Sequence, residues 1–267
     1  MVDAVAWLFC PADRPDRLGN AAERAELVIL DLEDGVAPND RGAAREALRS
    51  HPLDPRRTIV RVNPVGSADH RRDLAALVDT GYTTVMLAKA ETADQAAALA
   101  PLRVVALCET PLGVINAAAL AATVNVDGLM WGAEDLIAGL GGTSSRDPAG
   151  RYRDIARHAR NAVLLAAGAA GKLAIDAVYL DIADLDGLAA EASDAAACGF
   201  DAKACVHPRQ IPVVRTAYRP TPEAVAWARD VLALSRSTPG VFQHQGRMID
   251  EPLLRQARRT LARSDPR

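Results

Sequence analysis

The feature that most constrains the fold of this chain is an eightfold alternation. Short apolar, β-branched runs lie at residues 5–10, 27–34, 58–64, 83–89, 104–110, 128–135, 173–179 and 201–208. Between them lie segments with apolar residues three and four apart, such as ADHRRDLAALVDTG and RDIARHARNAVLLAAGAAG, the spacing of amphipathic helices. Glycine or proline marks nearly every junction. Eight strands alternating with helices, in a chain close to the usual barrel length of about 250 residues, predict a (β/α)8 barrel. An open doubly wound sheet would carry a glycine-rich phosphate loop after its first strand, where this chain reads PADRPDR. The barrel is expected over residues 1–220 and a C-terminal helical extension over 221–267. That tail holds a helix begun by Pro222, an irregular stretch TPGVFQHQGRMIDEP and a last helix LLRQARRTLAR. It is too long for a final barrel helix, so it should pack on the barrel or reach a neighbouring subunit.

Composition narrows the function classes. Of 267 residues 49% are hydrophobic, enough for one large core or two modest ones, and a net charge of −3 gives no footprint for nucleic acid. No apolar run has membrane-spanning length, and the N-terminal segment shows neither a charged leader nor a cleavage site, so a soluble, cytoplasmic protein is expected. The four cysteines are scattered, three of them in apolar runs, and read as buried free thiols in a reducing compartment. Only Lys89, Lys172 and Lys203 are lysines among 31 basic residues.

In such barrels the active site lies at the carboxyl ends of the strands. Those ends deliver Asp31, Glu33 and Asp34 from the second run, and Arg61 and Asn63 from the third. Lys89 and Glu91, Glu109 and Thr110, and Glu134 and Asp135 follow. Asp176 comes from nearer the middle of the seventh run, and Lys203 and His207 close the circuit. Hard oxygen ligands gathered on one rim suit Mg2+, which takes one or two protein carboxylates and fills its other positions with water and substrate oxygens. Glu109 and Asp135, each after an apolar run, are the expected metal ligands. Asp31 and Asp34 would hold metal waters or Arg61. The fork of Arg61 suits a bidentate grip on an α-keto acid carboxylate, and a metal beside it can polarise a keto carbonyl, which points to C–C chemistry next to a carbonyl. Each residue also has a plainer reading. A single acid can cap a helix, Asp34 before Gly35 can shape a turn, Arg61 can form an internal ion pair with Asp31, and His207 can be a packed core residue.

The segments LFCPADRPDR, VILDLEDGVAP, TIVRVNP, VMLAKAE, CETPLGV, WGAEDL, CVHPRQI and GRMIDEPLL, in this order, make the chain resemble the citrate lyase β-subunit-like branch of the HpcH/HpaI aldolase family, which includes malyl-CoA and citramalyl-CoA lyases. The resemblance implies a barrel assembled as a homotrimer or a multiple of trimers. It implies Mg2+ on Glu109 and Asp135, and Arg61 on the carboxylate of oxaloacetate, pyruvate or glyoxylate. It also implies Claisen-type cleavage or formation of a 3-hydroxyacyl-CoA thioester. Asp250 of MID would enter a neighbouring subunit's site as general acid/base. CoA contacts would fall at Arg14, Arg17, Arg41 and His207. Arg41 stands where relatives often carry lysine, and Ala88 replaces a common proline. Two rivals share the frame: a Schiff-base aldolase using Lys89, and a citrate lyase β subunit acting on an acyl-carrier-protein thioester. A third, a non-catalytic scaffold, would be expected to have lost the charged site residues that this chain keeps.

Overall fold

The computed structural model describes residues 4–238 and 240–264. Eight parallel strands close on themselves in chain order: β1 (Ala6–Pro11), β2 (Leu27–Asp31), β3 (Thr58–Val62), β4 (Thr84–Leu87), β5 (Arg103–Cys108), β6 (Val126–Trp131), β7 (Leu173–Asp176) and β8 (Ala202–Cys205). Closure is made by β1 against β8, with Ala6 opposite Lys203 and Leu8 opposite Cys205. This is the TIM-barrel fold that the alternation predicts. The apolar runs become strands because they are buried on both faces, inward against the barrel core and outward against helices. Trp7, Ile29, Ile59, Met86, Leu107, Met130 and Ile175 form part of the packed core. Fully burying one such side chain stabilises by about 1.5–3 kcal/mol.

Most strands end earlier than the apolar runs suggest, and the difference places chemistry. Glu33, Asn63, Lys89, Glu109 and Asp135 all follow their strands, in the connecting turns and helix starts at the carboxyl rim. Asp135 sits in the first turn of the helix Ala133–Gly139, where an acid is favoured by the helix dipole. After Glu109, Thr110 accepts the Gly113 N–H at 3.0 Å and Pro111 opens a short helix, so β5 cannot continue.

The chain divides into two compact units, one up to Val214 and one from Arg215 on. In the second, Thr221 caps the helix Pro222–Ser237 by accepting the Ala224 N–H at 3.2 Å. The stretch expected to be irregular contains an antiparallel hairpin, Phe242–His244 against Arg247–Ile249. Its two-residue turn, Gln245–Gly246, has positive φ at both positions, which matches the twist of the flanking strands. The helix Glu251–Ser264 follows, and Ala228, Val231, Ile249, Leu254 and Ala257 form this unit's own core. Among the described residues no helix is long and apolar enough to cross a membrane.

Candidate active site

The carboxyl ends of the strands surround a cavity of about 280 Å3. Phe9, Leu107, Met130, Val178 and Val206 supply apolar wall. Asp31, Arg61, Glu109, Glu134 and Asp135 supply charge. Five of the residues singled out in the sequence therefore meet in one place: Asp31, Arg61, Glu109, Glu134 and Asp135.

The acid-rich turn after β2 is stitched by its own carboxylates. Asp31 accepts the N–H of Glu33 and of Gly35, both at 2.9 Å. It also takes the fork of Arg61, Nε at 2.7 Å and Nη2 at 2.6 Å. Both the ion-pair reading and the ligand-binding reading of Arg61 are compatible with this geometry. The guanidinium has five N–H donors; Asp31 takes two, and Glu33 stands 3.2 Å from Nη1, which leaves hydrogens on Nη1 and Nη2. Phe9 lies under the guanidinium with its ring centre at 4.8 Å.

Lys89 ties the rest together. Its Nζ donates to Glu33 at 2.5 Å and to Asp34 at 2.9 Å, and lies 3.3 Å from Asp135. Its backbone N–H donates to Glu109 Oε1 at 3.0 Å. To make both sets of contacts Lys89 adopts φ +49°, a left-handed conformation that costs a non-glycine residue on the order of 1 kcal/mol. Ala88 and Ala90 on either side are fully buried and fix the backbone there. Burial works against the ammonium, but Glu33 and Asp34 override it and hold the Lys89 pKa above the ordinary lysine range.

Glu109 is 3% exposed. Burial, reinforced by the charge of Asp135, pushes its carboxyl up to about 8. Gly132 lets it fit: a Cβ there would stand 2.8 Å from Glu109 Cβ and 2.9 Å from its Oε2. Burial also raises Glu33, against the pull of Arg61 and Lys89. In all, five carboxylates (Asp31, Glu33, Asp34, Glu109 and Asp135) face two cations, Arg61 and Lys89. Among the described residues no group of three or more His, Cys, Asp or Glu side chains is arranged to hold a metal ion unaided. Glu109, Glu134 and Asp135 line the cavity without an ion pair to Arg61; Glu134 accepts the Ser145 hydroxyl at 2.6 Å, which leaves Glu109 and Asp135 as the pair for a metal.

Arg14, Arg17, Arg41 and His207 are not among the residues that line the cavity. Arg14 forks onto Asp16 at 3.1 and 3.0 Å, and Arg17 is exposed on the helix after β1. Arg41 pairs with Asp69 at 2.7 Å. His207 follows β8, and its Nδ1 accepts the Arg209 N–H at 3.1 Å. Asp250 belongs to the second unit, where its carboxylate faces the Leu253 N–H at 3.4 Å at the start of the last helix. Sequence reasoning missed the structural weight of Glu33 and of the Lys89 backbone. The signal for the first was present, since Glu33 sits two residues from Asp31 in VILDLEDG.

Comparison with known proteins agrees with this architecture. The profile of the HpcH/HpaI aldolase/citrate lyase family matches residues 6–208, and that of the carbon–carbon bond lyases of the TIM-barrel fold matches residues 152–266. The chain is 60% identical to a citrate lyase subunit beta-like protein of Mycobacterium tuberculosis, covering 97% of this chain and 94% of that one. It is 34% identical to human mitochondrial citramalyl-CoA lyase, over 96% of this chain and 84% of the other. The crystal structure of CitE from Mycobacterium tuberculosis in complex with magnesium, acetoacetate and coenzyme A superposes with a TM-score of 0.96, at 59% identity over 99% of both chains.

Proposed function

Because the chain belongs to the HpcH/HpaI aldolase/citrate lyase family and is a carbon–carbon lyase, we propose that it cleaves, or forms in reverse, the bond between carbons 2 and 3 of a 3-hydroxyacyl-CoA thioester such as malyl-, citramalyl- or citryl-CoA. The products would be an acyl-CoA and a small keto acid: oxaloacetate, pyruvate or glyoxylate. Glu109 and Asp135 would hold Mg2+. The donor set fits that ion, because two hard carboxylates on one wall leave its other positions to water and substrate oxygens. When bound, magnesium withdraws charge from the oxygens it touches and so stabilises negative charge developing there.

The chain's own residues do the rest. Arg61, braced by Asp31 and Glu33, offers its remaining N–H groups to the keto-acid carboxylate. Phe9, Leu107, Met130 and Val178 line the cavity with apolar surface and limit water around the reacting carbons. In cleavage the 3-hydroxyl gives up its proton, the C2–C3 electron pair passes into the thioester carbonyl, and carbon 2 then takes a proton. Asp250, from the second unit of a neighbouring copy in a trimeric assembly, would deliver that proton. One proton leaves oxygen and one reaches carbon, so the step is redox neutral. A Schiff base on Lys89 needs a free neutral amine, whereas this amine is held by three carboxylates.

The observation that carries the reading is the buried Glu109, which lines the cavity beside Asp135 and, among the described residues, has only the Lys89 backbone N–H, and no ion pair, to hold its charge. The test is incubation with a panel of 3-hydroxyacyl-CoA thioesters, with Mg2+ or EDTA, and identification of products by mass spectrometry. Turnover should require Mg2+ and fall by about 10^3 or more in Glu109→Gln. Undiminished cleavage in EDTA would sink the reading.

A further inference from the structure

The position of the Lys89 ammonium carries a further inference. Its Nζ lies 2.5, 2.9 and 3.3 Å from oxygens of Glu33, Asp34 and Asp135. Only the shortest of those separations falls within calcium–oxygen distances of about 2.3–2.6 Å. The ammonium holds three carboxylates that do not form a metal site by themselves. No second cation takes its place: Arg61 reaches Asp31 and Glu33 but makes no ion pair with Asp34 or Asp135. The same residue fixes Glu109 through its main chain, by a 3.0 Å hydrogen bond made from a left-handed backbone at Lys89.

We propose that Lys89 is a positioning residue that limits the metal to two protein carboxylates. It holds Glu33 and Asp34 most closely, at 2.5 and 2.9 Å against 3.3 Å for Asp135, and so leaves Glu109 and Asp135 as ligands and the other coordination positions for the substrate. The inference rests on the proposed metal site. Its consequence is selectivity. An ion that accepts two carboxylates and keeps its remaining positions for small oxygen donors suits Mg2+, whereas an ion that wants six to eight oxygens gains from every added carboxylate. Without the ammonium, Glu33 and Asp34 become available, and the larger ion should benefit most.

The test is isothermal titration of metal-free protein with Mg2+ and separately with Ca2+. Wild type, Lys89→Met, Lys89→Gly, Lys89→Arg and Glu109→Gln are compared. Lys89→Gly keeps the N–H to Glu109 and suits the positive φ, so it isolates the side chain and guards against a misfolded Lys89→Met. In both side-chain deletions the ratio of Ca2+ to Mg2+ affinity should rise roughly tenfold or more, while Lys89→Arg, which keeps the charge, should stay near wild type. Loss of a positive charge alone would raise both affinities by the same factor, and an unchanged ratio in Lys89→Gly overturns the proposal. So does a ratio that falls. If wild type binds neither ion, or Glu109→Gln binds Mg2+ as wild type does, it is the metal site itself that fails.

Discussion

Two charge clusters lie within the barrel unit, one partly open and one closed, and they are built on opposite terms. The first is the cavity cluster, with five carboxylates against the two cations Arg61 and Lys89. The second is centred on Lys203, which is fully buried and bonds Asp176 at 2.9 Å, Glu191 at 2.9 Å and the Ala177 carbonyl at 2.7 Å. Arg160 bridges Asp176 and Asp194, Arg146 pairs with Glu191, and the Trp131 indole N–H donates to Asp176 at 2.7 Å. Three carboxylates meet three cations, and the cluster is balanced. Burial alone would push Asp176 up, yet Lys203 and Arg160 hold it below the usual carboxylate range. Glu109, in the unbalanced cluster, goes the other way, up to about 8. A balanced buried network has no use for a ligand cation. A surplus of carboxylates opening on a cavity does, and the contrast separates a structural network from a site better than burial or acid content would.

The comparison breaks first at Lys203. Lys203→Met leaves Asp176 and Glu191 without their shared cation, in a place that solvent does not reach. Removing one partner of a buried pair costs about 3–5 kcal/mol. Urea unfolding monitored by circular dichroism should show a loss of that size. A loss under about 1 kcal/mol would mean that the cluster is solvated and the contrast false.

The next effect is a pH slope. An acid whose folded pKa lies above its unfolded value binds more protons in the folded state, so it subtracts stability as pH rises between the two values. For Glu109 that window runs from the ordinary glutamate value of 4.5 to about 8. Metal-free wild type should therefore lose stability across it, about 4 kcal/mol. Glu109→Gln, which cannot ionise, should show a flatter profile and be the more stable of the two at pH 8. If the two urea midpoints move in parallel between pH 5 and pH 8, Glu109 is not the strained carboxylate described here.

How much of this could be read from the sequence follows from what each feature depends on. The barrel was legible because burial on both strand faces leaves continuous apolar runs, and the rim acids were legible because they follow those runs. Lys203 and Asp176 were not legible as a pair. They are opposed in register across β7 and β8, which puts them on one face, and register between strands 27 residues apart in sequence is a property of closure. Asp135 was assigned to the end of an apolar run, but Gly132 stops β6 and the acid falls in a helical turn. The hairpin around Gln245–Gly246 escaped notice because its strands are three residues each, too short to show alternation. The left-handed backbone of Lys89 leaves no mark in composition, since lysine is an unusual residue for that conformation.

The smallest effect is the sharpest discriminator between the clusters, because it changes the same residue type in the same way. Lys89, like Lys203, is held by more than one carboxylate, but its side chain is 29% exposed and that of Lys203 is 0%. Lys89→Met should therefore cost about 1 kcal/mol or less, a small part of the Lys203→Met loss. Glu33, the buried partner left behind, keeps Arg61 at 3.2 Å. Burial already raises its pKa, so it can take up a proton when the ammonium is gone, an escape that Asp176, held low by its cations, lacks. Lys89→Gly should be the more stable of the two deletions, by up to about 1 kcal/mol, because glycine adopts the left-handed backbone without strain. Equal losses at Lys89 and Lys203 would show that both clusters are closed and structural. A negligible loss at Lys89 beside a large one at Lys203 would show that the cavity cluster tolerates charge imbalance, as a site that expects a cation must.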